Sequence, residues 1–365
     1  MSGIWGNHIQ LSIFGESHGK SIGITLNGLP AGLEIDMVQV MVEMRRRAPG
    51  RNLLSTQRKE VDAPEILSGY FNQKTTGTPL CAIIQNKDTR SKDYGQLKDL
   101  MRPSHGDFAG AIKYGGHNDY RGGGHFSGRI TAPLVFAGAV CKQVLAKKGI
   151  YIGAHINSIR DIKDQAFDPL QIPKELLDGL YPKDLPLLDP SKEEAIKEAI
   201  LDARKNGDSV GGTVECAIIG LEAGLGDPFF HSVESTLAQL LFSVPAVKGV
   251  EFGAGFEIAS MYGSEANDEL YYEGDAVKTK TNHNGGVTGG ITNGMPIVFT
   301  CAIKPTSSIG KPQQTINLAT KTQEVLEIKG RHDPCIVQRA LPVIEAVAAI
   351  GMLELVTGRK KELGL

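Results

Sequence analysis

A charged, glycine-rich loop leads directly into an apolar helix. Residues 119–129 read DYRGGGHFSGR, and a long apolar run follows from Thr131 to Lys147. Such a loop can bind an anion, because its N–H groups are exposed and the helix dipole favours negative charge. The stretch therefore predicts a helix at 131–147 with an anion-binding loop before it. No G-x-G-x-x-G follows a strand here, which argues against a Rossmann dinucleotide site.

Outward from this stretch, strand and helix patterns alternate. Strands are predicted at 22–27 and 213–219, and helices at 36–47, 191–206, 233–242 and 336–357. Ser191 and Glu194 form a capping-box pattern, and Pro342 predicts a bend in the last helix. Residues 264–282 are polar and turn-rich and are expected to be mobile. With no clear linker, the pattern favours a single α/β or α+β domain over residues 1–365.

Composition excludes several classes of protein. The 365 residues carry a net charge of −2, so no basic field attracts nucleic acid. No apolar run reaches the roughly 18 residues that a membrane span needs, and the N-terminus does not resemble a signal peptide. The five cysteines are scattered singly, which predicts reduced, packing thiols in a cytosolic protein without a metal site.

Four further segments concentrate arginine, histidine and hydroxyl side chains. They are residues 45–47 (RRR), 102–107 (RPSHGD), 304–308 (KPTSS) and 330–335 (GRHDPC). Three adjacent arginines cannot share one helical face, so some of them are free to bind anions. In the last segment Asp333 has two open interpretations: a functional carboxylate, or the N-cap of a helix beginning near Pro334.

A fifth segment, residues 15–21 (GESHGKS), imitates a phosphate-binding P-loop. It is one residue too short, since only three residues separate Gly15 from Gly19. The nucleoside-triphosphatase interpretation is therefore set aside. The alternative is that Ser17 and His18 point into a site from a tight turn flanked by glycines.

Residues 15–19, 127–129 and 331–335 closely resemble the three characteristic segments of chorismate synthases. Residues 45–47, 102–105, 119–124 and 304–308 also fall where that family has its typical segments, and the resemblance runs from about residue 5 to residue 355. It implies the family's α+β fold, with antiparallel sheets sandwiching helices, and a cytoplasmic homotetramer.

The resemblance also implies a reaction. Such enzymes are lyases of the shikimate pathway, which supplies aromatic amino acids. They remove phosphate and a C6 proton from 5-enolpyruvylshikimate 3-phosphate in a 1,4-trans elimination. They require reduced FMN without net redox change, and the flavin, rather than the protein, supplies the difficult electronic step.

Site residues follow by the same resemblance. His18 and His105 are expected to serve the departing phosphate and the reduced flavin, and Asp333 to act with flavin N5 in removing the proton. The expected substrate-binding residues are Ser17, Arg47, Arg102, Ser127, Arg129 and Arg331. The expected FMN-binding residues are Arg47, His125, Phe126, Ser127, Gly289, Lys304, Pro305, Thr306, Ser307, Ser308 and Arg331.

Three positions depart from the family pattern. Leu53 stands where many relatives have an arginine, and Arg51 is the candidate substitute. Residues 125–129 read HFSGR where Arg-Ser-Ser-Ala-Arg is common. Pro245 precedes Ala246 where relatives often have Asn-Ala, which predicts the loss of a hydrogen bond on the flavin side.

Two other functions fit some of these features. A flavin-dependent oxidoreductase acting on a phosphorylated acid could use the same anion clusters, but it would consume NAD(P)H stoichiometrically. A polyanion-binding module could use the arginine-rich segments, but it would interleave aromatic residues, which make up only 6% of this chain.

Overall fold

Short antiparallel strands and a few long helices make up the fold. The computed structural model describes residues 3–50, 54–55, 61–87, 97–328 and 332–362. The strands are β1 (Ile4–Trp5), β2 (Gln10–Gly15), β3 (Ser21–Asn27), β4 (Glu65–Ser68), β5 (Tyr70–Phe71), β6 (Lys74–Thr75), β7 (Leu80–Gln85), β8 (Tyr151–Ile159), β9 (Ile162–Lys163), β10 (Gly212–Ile219), β11 (Val247–Phe252), β12 (Leu270–Glu273), β13 (Ala276–Thr279), β14 (Val287–Thr288), β15 (Ile291–Thr292), β16 (Ile297–Ile303), β17 (Gln313–Asn317) and β18 (Thr322–Leu326). The helices are α1 (Met37–Arg47), α2 (Asp107–Lys113), α3 (Thr131–Ala146), α4 (Lys174–Leu180), α5 (Glu193–Lys205), α6 (Val233–Ser243), α7 (Gly263–Ala266) and α8 (Val337–Glu362).

The predicted elements form close to where the sequence pattern puts them. Strands β3 and β10 and helices α1, α3, α5, α6 and α8 confirm the seven predicted segments. The capping-box prediction is wrong, because helix α5 begins at Glu193 and the side chain of Asp189 accepts the N–H of Ser191 in the turn before it. Asp189 is the better cap because it is already extended where the chain enters the turn.

Two five-stranded sheets hold the long helices α3 and α8 between them. Their strand orders are β1-β2-β3-β7-β4 and β11-β16-β10-β8-β9, with every neighbouring pair antiparallel. Helix α3 packs against β3 and β7 of the first sheet, and α8 packs against β8 and β10 of the second. The predicted α+β class, with antiparallel sheets sandwiching helices, is confirmed.

Helices α3 and α8 cross closely at the centre of the molecule. A Cβ atom on Gly138 would lie 2.2 Å from the Cβ of Ala346, so only glycine allows this approach. Both helices have the length and hydropathy of a membrane span, but 78% and 83% of their apolar windows are buried inside the fold. Their apolar surface therefore belongs to the core.

Buried ionic side chains join the three central helices. The Glu345 carboxylate of α8 accepts hydrogen bonds from Arg46 of α1 and Lys142 of α3, and also from the backbone N–H of Ala154 in β8. Glu43 accepts from the same two cations. Burial opposes ionisation, but the two cations hold the pKa of Glu345 well below its usual range.

The segment between β9 and α5 covers the second sheet on the face away from α8. Phe167, Ile172, Leu177 and Leu180 pack there against Ala217 and Val298 of the sheet. The ring of His155 in β8 joins this segment to the sheet, with Nδ1 3.0 Å from Asp164 and Nε2 2.7 Å from Glu215.

All five cysteines are free thiols, as predicted, and four of them are buried. Cys141 lies in α3, Cys216 in β10 and Cys301 in β16, while Cys335 precedes α8. Burial raises the pKa of Cys141, Cys301 and Cys335 to about 12. These thiols are inert packing groups in the folded protein.

The polar segment 264–282 contains the hairpin of β12 and β13. The Asp268 carboxylate fixes its base, accepting the N–H groups of His283 and Asn284 and the hydroxyl of Thr281. One aspartate thus satisfies several donors at once, and the mobility of the segment stays a prediction.

Candidate active site

The glycine run 122–124 forms the floor between the two predicted histidines. Gly122 and Gly123 adopt φ of 58° and 85°, in the left-handed region that favours glycine. A Cβ on Gly122 would lie 2.2 Å from the His18 ring, and a Cβ on Gly123 would lie 2.9 Å from the His105 ring. The structure therefore brings His18 and His105 to neighbouring residues of one loop.

His18 and Ser17 are both buried, and Ser17 fixes the histidine ring. The Ser17 Oγ lies 3.0 Å from His18 Nδ1, and it donates to the carbonyl oxygens of Arg121 and Gly122 at 3.2 and 3.1 Å. A hydroxyl carries one proton, so its oxygen accepts from Nδ1–H when that proton goes to a carbonyl. In the neutral ring this leaves Nε2 as the basic nitrogen.

His105 has a carboxylate partner instead. Its Nδ1 lies 2.6 Å from Oδ1 of Asp107, the first residue of α2. Burial opposes ionisation of Asp107, but its hydrogen bonds from Arg102 and His105 hold its pKa well below the usual range. The ionised carboxylate accepts from Nδ1–H and so fixes the tautomer and the orientation of the ring, which leaves Nε2 facing Gly123.

Arg102, a predicted substrate ligand, is largely engaged by the protein. Its Nε and Nη2 donate to both oxygens of Asp107 at 2.7 and 2.8 Å, and its Nη1 donates to the Ser308 hydroxyl at 3.2 Å. This fork aligns Asp107 for His105 and ties the loop to the predicted flavin segment. Substrate binding by Arg102 stays a prediction.

The Lys304–Ser308 segment lies against the loop that carries His105. The Nζ of Lys304 and the hydroxyl of Ser307 both donate to the carbonyl of Ser104, the latter at 3.1 Å. Burial and the nearby Lys248 lower the pKa of Lys304. A cation placed beside another cation suits an anionic ligand. The structure thus brings this predicted segment to the histidines.

The remaining residues of this segment have structural partners. The Thr306 carbonyl accepts from the hydroxyl of Ser209 at 2.8 Å, and Pro305 follows Lys304 directly. The Lys304 N–H donates to the carbonyl of Ala246 at 2.9 Å, so the Pro245–Ala246 departure borders this segment.

Arg47 and Arg129 share one buried acidic partner, Asp62. Its carboxylate accepts from Arg47 Nη1 at 2.8 Å and from Arg129 Nη1. The three adjacent arginines diverge as expected: Arg45 is exposed, and Arg46 joins Glu345 in the core. The predicted role of Arg47 and Arg129 toward ligands stays a prediction.

Asp333 forms an ion pair with Arg339 of α8. The helix begins at Val337, so Asp333 does not occupy the N-cap position and the helix-cap interpretation is wrong. The Arg339 Nε donates to the carbonyl of Arg47 at 3.0 Å, which links Asp333 to the end of α1. Arg331, Arg51 and Leu53 lie outside the described residues.

Residues 125–127 differ from one another in their contacts. The exposed His125 has Nδ1 2.8 Å from the carbonyl oxygen of Gly15. The Phe126 ring lies on α2, where a Cβ on Gly110 would come within 2.6 Å of it. The Ser127 hydroxyl accepts the N–H of Arg129 at 3.3 Å.

Gly289 lies in the turn of the β14–β15 hairpin, near the start of α6, where the N–H of Val233 donates to the carbonyl of Gly290. Within the described ranges, no hydrogen bond joins Gly289 to the histidine-bearing loops. Its predicted contact with flavin stays a prediction.

Sequence reasoning missed the two carboxylates that organise the site. Asp107 could have been found, because it follows His105 by two residues at the end of the segment 102–107. Asp62 gave no signal, since it stands alone in a loop and meets its arginines only in the folded chain. In the part of the chain that the structure describes, no group of three or more His, Cys, Asp or Glu side chains is placed to hold a metal.

Comparisons with known proteins identify the family of this chain. The family model described as chorismate synthase matches residues 9–357. A chorismate synthase from Thermococcus gammatolerans is 44% identical over 356 residues, covering 97% of this chain and 98% of that protein. One from Chitinophaga pinensis is 45% identical over 351 residues, covering 96% of this chain and 95% of that protein.

A solved structure titled "Crystal Structure of Chorismate Synthase" is also similar. It has a TM-score of 0.74 and 31% sequence identity, over 99% of this chain and 94% of that one. Sequence and fold therefore agree over nearly the whole length. The chain belongs to the chorismate synthase family, the carbon–oxygen lyases that form chorismate from 5-enolpyruvylshikimate 3-phosphate in aromatic amino acid biosynthesis.

Proposed function

We propose that His18 and His105 are the proton-handling residues of this lyase and that the glycine run between them is the floor of its active site. The observation that carries the proposal is the convergence of both rings on Gly122 and Gly123. Each ring has its Nδ1 held by a separate partner, Ser17 or Asp107. Two histidines with different partners suit two different proton-transfer roles.

The different Nδ1 partners of His18 and His105 indicate a separate role for each histidine. Asp107 holds Nδ1 of His105, so the ring is fixed with Nε2 toward Gly123, and we assign this nitrogen to the departing phosphate. The Ser17 hydroxyl offers no charge, so His18 is better suited to act in its neutral form. Asp333 is the proposed carboxylate for removal of the C6 proton, held in place by its ion pair with Arg339.

The residues fit a bound FMN. Lys304 has a lowered pKa beside a second cation, and in the same segment the hydroxyl of Ser307 accepts from Lys304 while that of Ser308 accepts from Arg102. A Cβ on Gly122 or Gly123 would strike a histidine ring, so the glycines let both rings lie directly against the backbone beside this segment. Further proposed FMN contacts are Arg47, His125, Phe126, Ser127, Gly289, Pro305, Thr306 and Arg331.

When bound and reduced, the flavin supplies electron density to the substrate and recovers it after phosphate leaves. The protein's own part is to hold the anionic groups, to place the two histidines and to exclude water. The proposed substrate ligands are Ser17, Arg47, Arg102, Ser127, Arg129 and Arg331. Charge-assisted forks of this kind contribute about 1.5–3 kcal/mol each.

We further propose that the whole chain works as a single domain within a cytoplasmic homotetramer. One set of buried side chains runs from β3 of the first sheet through α3 and α8 to β10 of the second. Several large apolar side chains remain exposed, among them Phe229, Phe230, Phe256 and Tyr272. Such residues support contacts between subunits.

Anaerobic incubation with substrate and photoreduced FMN tests the proposed function. We expect phosphate release and chorismate absorbance to appear together, with a catalytic amount of reduced flavin sufficing for many turnovers. Product that instead required one NAD(P)H per molecule would identify a flavin-dependent oxidoreductase and refute the lyase with no net redox change.

A further inference from the structure

A second lysine, Lys248, lies close to Lys304 where strands β11 and β16 meet. Val247 of β11 pairs with Ile303 of β16, and both side chains are buried. The next pair along is displaced by one residue, so Lys248 is the extra residue of a β-bulge. Because side chains alternate between the two faces of a sheet, Lys248 and Lys304, which follow the buried pair, both point away from the core.

The backbone beside the bulge continues the pairing of the two strands. The N–H of Lys304 donates to the carbonyl of Ala246 at 2.9 Å. Ala246 adopts φ of 78°, in the left-handed region that is costly for any residue except glycine. Lys248 and Lys304 are therefore diagonal neighbours on one face of the sheet, within reach of long side chains. A bulge and a positive φ at adjacent positions are typical of sites where a side chain is redirected toward a ligand.

No acidic side chain balances Lys304 in the part of the chain that the structure describes. Burial and the positive charge of Lys248 lower the pKa of Lys304, and no carboxylate among these residues opposes the shift. The groups that accept from Lys304 Nζ, the Ser104 carbonyl and the Ser307 hydroxyl, are uncharged. Two residues after Lys304, the buried hydroxyl of Thr306 has no hydrogen-bond partner within the same ranges. An excess of positive charge beside an unsatisfied donor suits an anionic ligand.

An anion can reach both ammonium groups without displacing a protein group. Lys248 is exposed and Lys304 is half-buried. An ammonium group has three N–H donors, and two of those of Lys304 are used by Ser104 and Ser307, so one remains. Ser104 directly precedes His105, which places the two lysines beside the proposed active site.

We propose that Lys248 is a further ligand-binding residue, which together with Lys304 binds the dianion of a phosphate monoester at the edge of the active site. This inference rests on the proposed function, which supplies two such ligands, FMN and 5-enolpyruvylshikimate 3-phosphate. A phosphate monoester carries a charge close to −2 at neutral pH, so it balances two ammonium groups that otherwise repel each other.

The ligand affinities of Lys248→Gln test the proposal and identify the source of the phosphate. If the lysines bind the cofactor, the variant should bind FMN about tenfold more weakly than wild type, with unchanged affinity for riboflavin, which lacks the phosphate. If they bind the substrate, FMN affinity should be unchanged, and 5-enolpyruvylshikimate 3-phosphate should bind about tenfold more weakly to enzyme loaded with oxidised FMN. Chorismate, which lacks the phosphate but keeps both carboxylates, should then bind as it does to wild type.

Two results of these titrations would overturn the proposal. The first is an unchanged affinity for both phosphate monoesters. The second is an equal loss for FMN and riboflavin, or for substrate and chorismate, because Lys248 would then act on a part of the ligand other than the phosphate.

Lys163→Gln is the matched control, because Lys163 is an exposed lysine of β9, at the opposite edge of the same sheet. We expect its affinities for all four ligands to equal those of wild type. A tenfold loss in this control as well would mean that any lost surface charge has the effect, which would also overturn the proposal.

Lys248→Arg separates the charge from the shape of the bulge. It keeps the positive charge, so its affinity for the phosphate monoester should stay within about threefold of wild type. A loss as large as that of Lys248→Gln would assign the effect to the bulge and contradict a role for the charge. The proposed function fails separately: wild type that forms no chorismate with photoreduced FMN would refute the lyase, whereas FMN affinity tests Lys248 without turnover.

Discussion

At the scale of single residues, the two histidines differ in what holds their rings. A hydroxyl contacts Nδ1 of His18, whereas an ionised carboxylate contacts Nδ1 of His105. The carboxylate holds the His105 ring in one orientation, so its loss should affect catalysis without removing any group that touches substrate. Asp107 is therefore a positioning residue.

We predict that Asp107→Asn lowers kcat by about 10²-fold, within the usual range for disturbing a general acid–base group. KM should change little, because no group that contacts the substrate is removed. His105→Ala should lower kcat by about 10²–10⁴-fold. An Asp107→Asn kcat that matches wild type would show that the carboxylate only supports α2.

Asp333 gives a second prediction. The Asp333→Asn substitution keeps the size of the side chain but removes the charge paired with Arg339. If the carboxylate removes the proton, single-turnover rates with reduced FMN should fall about 10²-fold, with FMN affinity retained. Arg339→Gln is the companion variant, because it breaks the same ion pair and keeps the carboxylate. Equal losses in both variants would assign Asp333 to structure alone.

At the scale of elements, the glycine run sets how close the histidine loops can come. Gly123→Ala should reduce kcat by at least about 10²-fold, because its Cβ would press on the His105 ring that is proposed for catalysis. Gly116→Ala is the matched control, since Gly116 has a similar positive φ of 78° and a Cβ there would meet nothing within 4 Å. Both variants should lose roughly 1 kcal/mol of stability from the strained φ, but only the first should lose activity.

His155 makes the covering segment of the second sheet sensitive to pH. Burial disfavours its charged form, but Asp164 and Glu215 outweigh burial and raise its pKa. The charged His155 ring therefore contributes its full stabilisation below the unfolded pKa of about 6.5. That stabilisation is lost as the pH rises through the pKa of His155 in the folded protein. The pKa of Asp164 is lowered in the folded protein. The stabilisation from its ionised carboxylate is therefore present above the unfolded pKa of 3.8 and is lost as the pH falls through the folded pKa.

Urea unfolding between pH 5 and pH 9 measures this contribution. Wild type should lose stability as the pH rises across the alkaline half of that range, whereas His155→Gln, which has no titratable ring, should start less stable and show a flatter profile. Exchange data should place the loss in residues 164–189. Parallel profiles for the two proteins would mean that the ring is neutral in the folded state.

Elements with strong periodicity were predictable from sequence, but their partners in space were not. Apolar spacing located α3 and α8, because a helix that is apolar all round must be buried. Nothing in the sequence indicated that Asp62 would reach Arg47 and Arg129, or that Gly123 would meet His105. Such pairings depend on how distant loops meet in the folded chain. The family resemblance identified several of the residues but not the contacts between them.

At the scale of the whole molecule, the Glu345 network holds three helices and the second sheet together. Glu345→Gln should lower the free energy of unfolding by about 3–5 kcal/mol, because Arg46 and Lys142 would lose a buried counter-charge. The exposed pair of Lys174 and Asp178 provides the comparison, and Asp178→Asn should change stability by less than about 0.5 kcal/mol. Denaturant melts of both variants check the difference.

The four buried thiols can be used to measure local opening of the folded core. Cys141 and Cys301 lie in different layers, one in a central helix and one in a strand of the second sheet. A thiol-specific reagent can reach each of them only when its own layer opens, and the high pKa keeps them unreactive until then. Labelling rates followed thiol by thiol would therefore give the order in which the two layers separate, without the introduction of any probe.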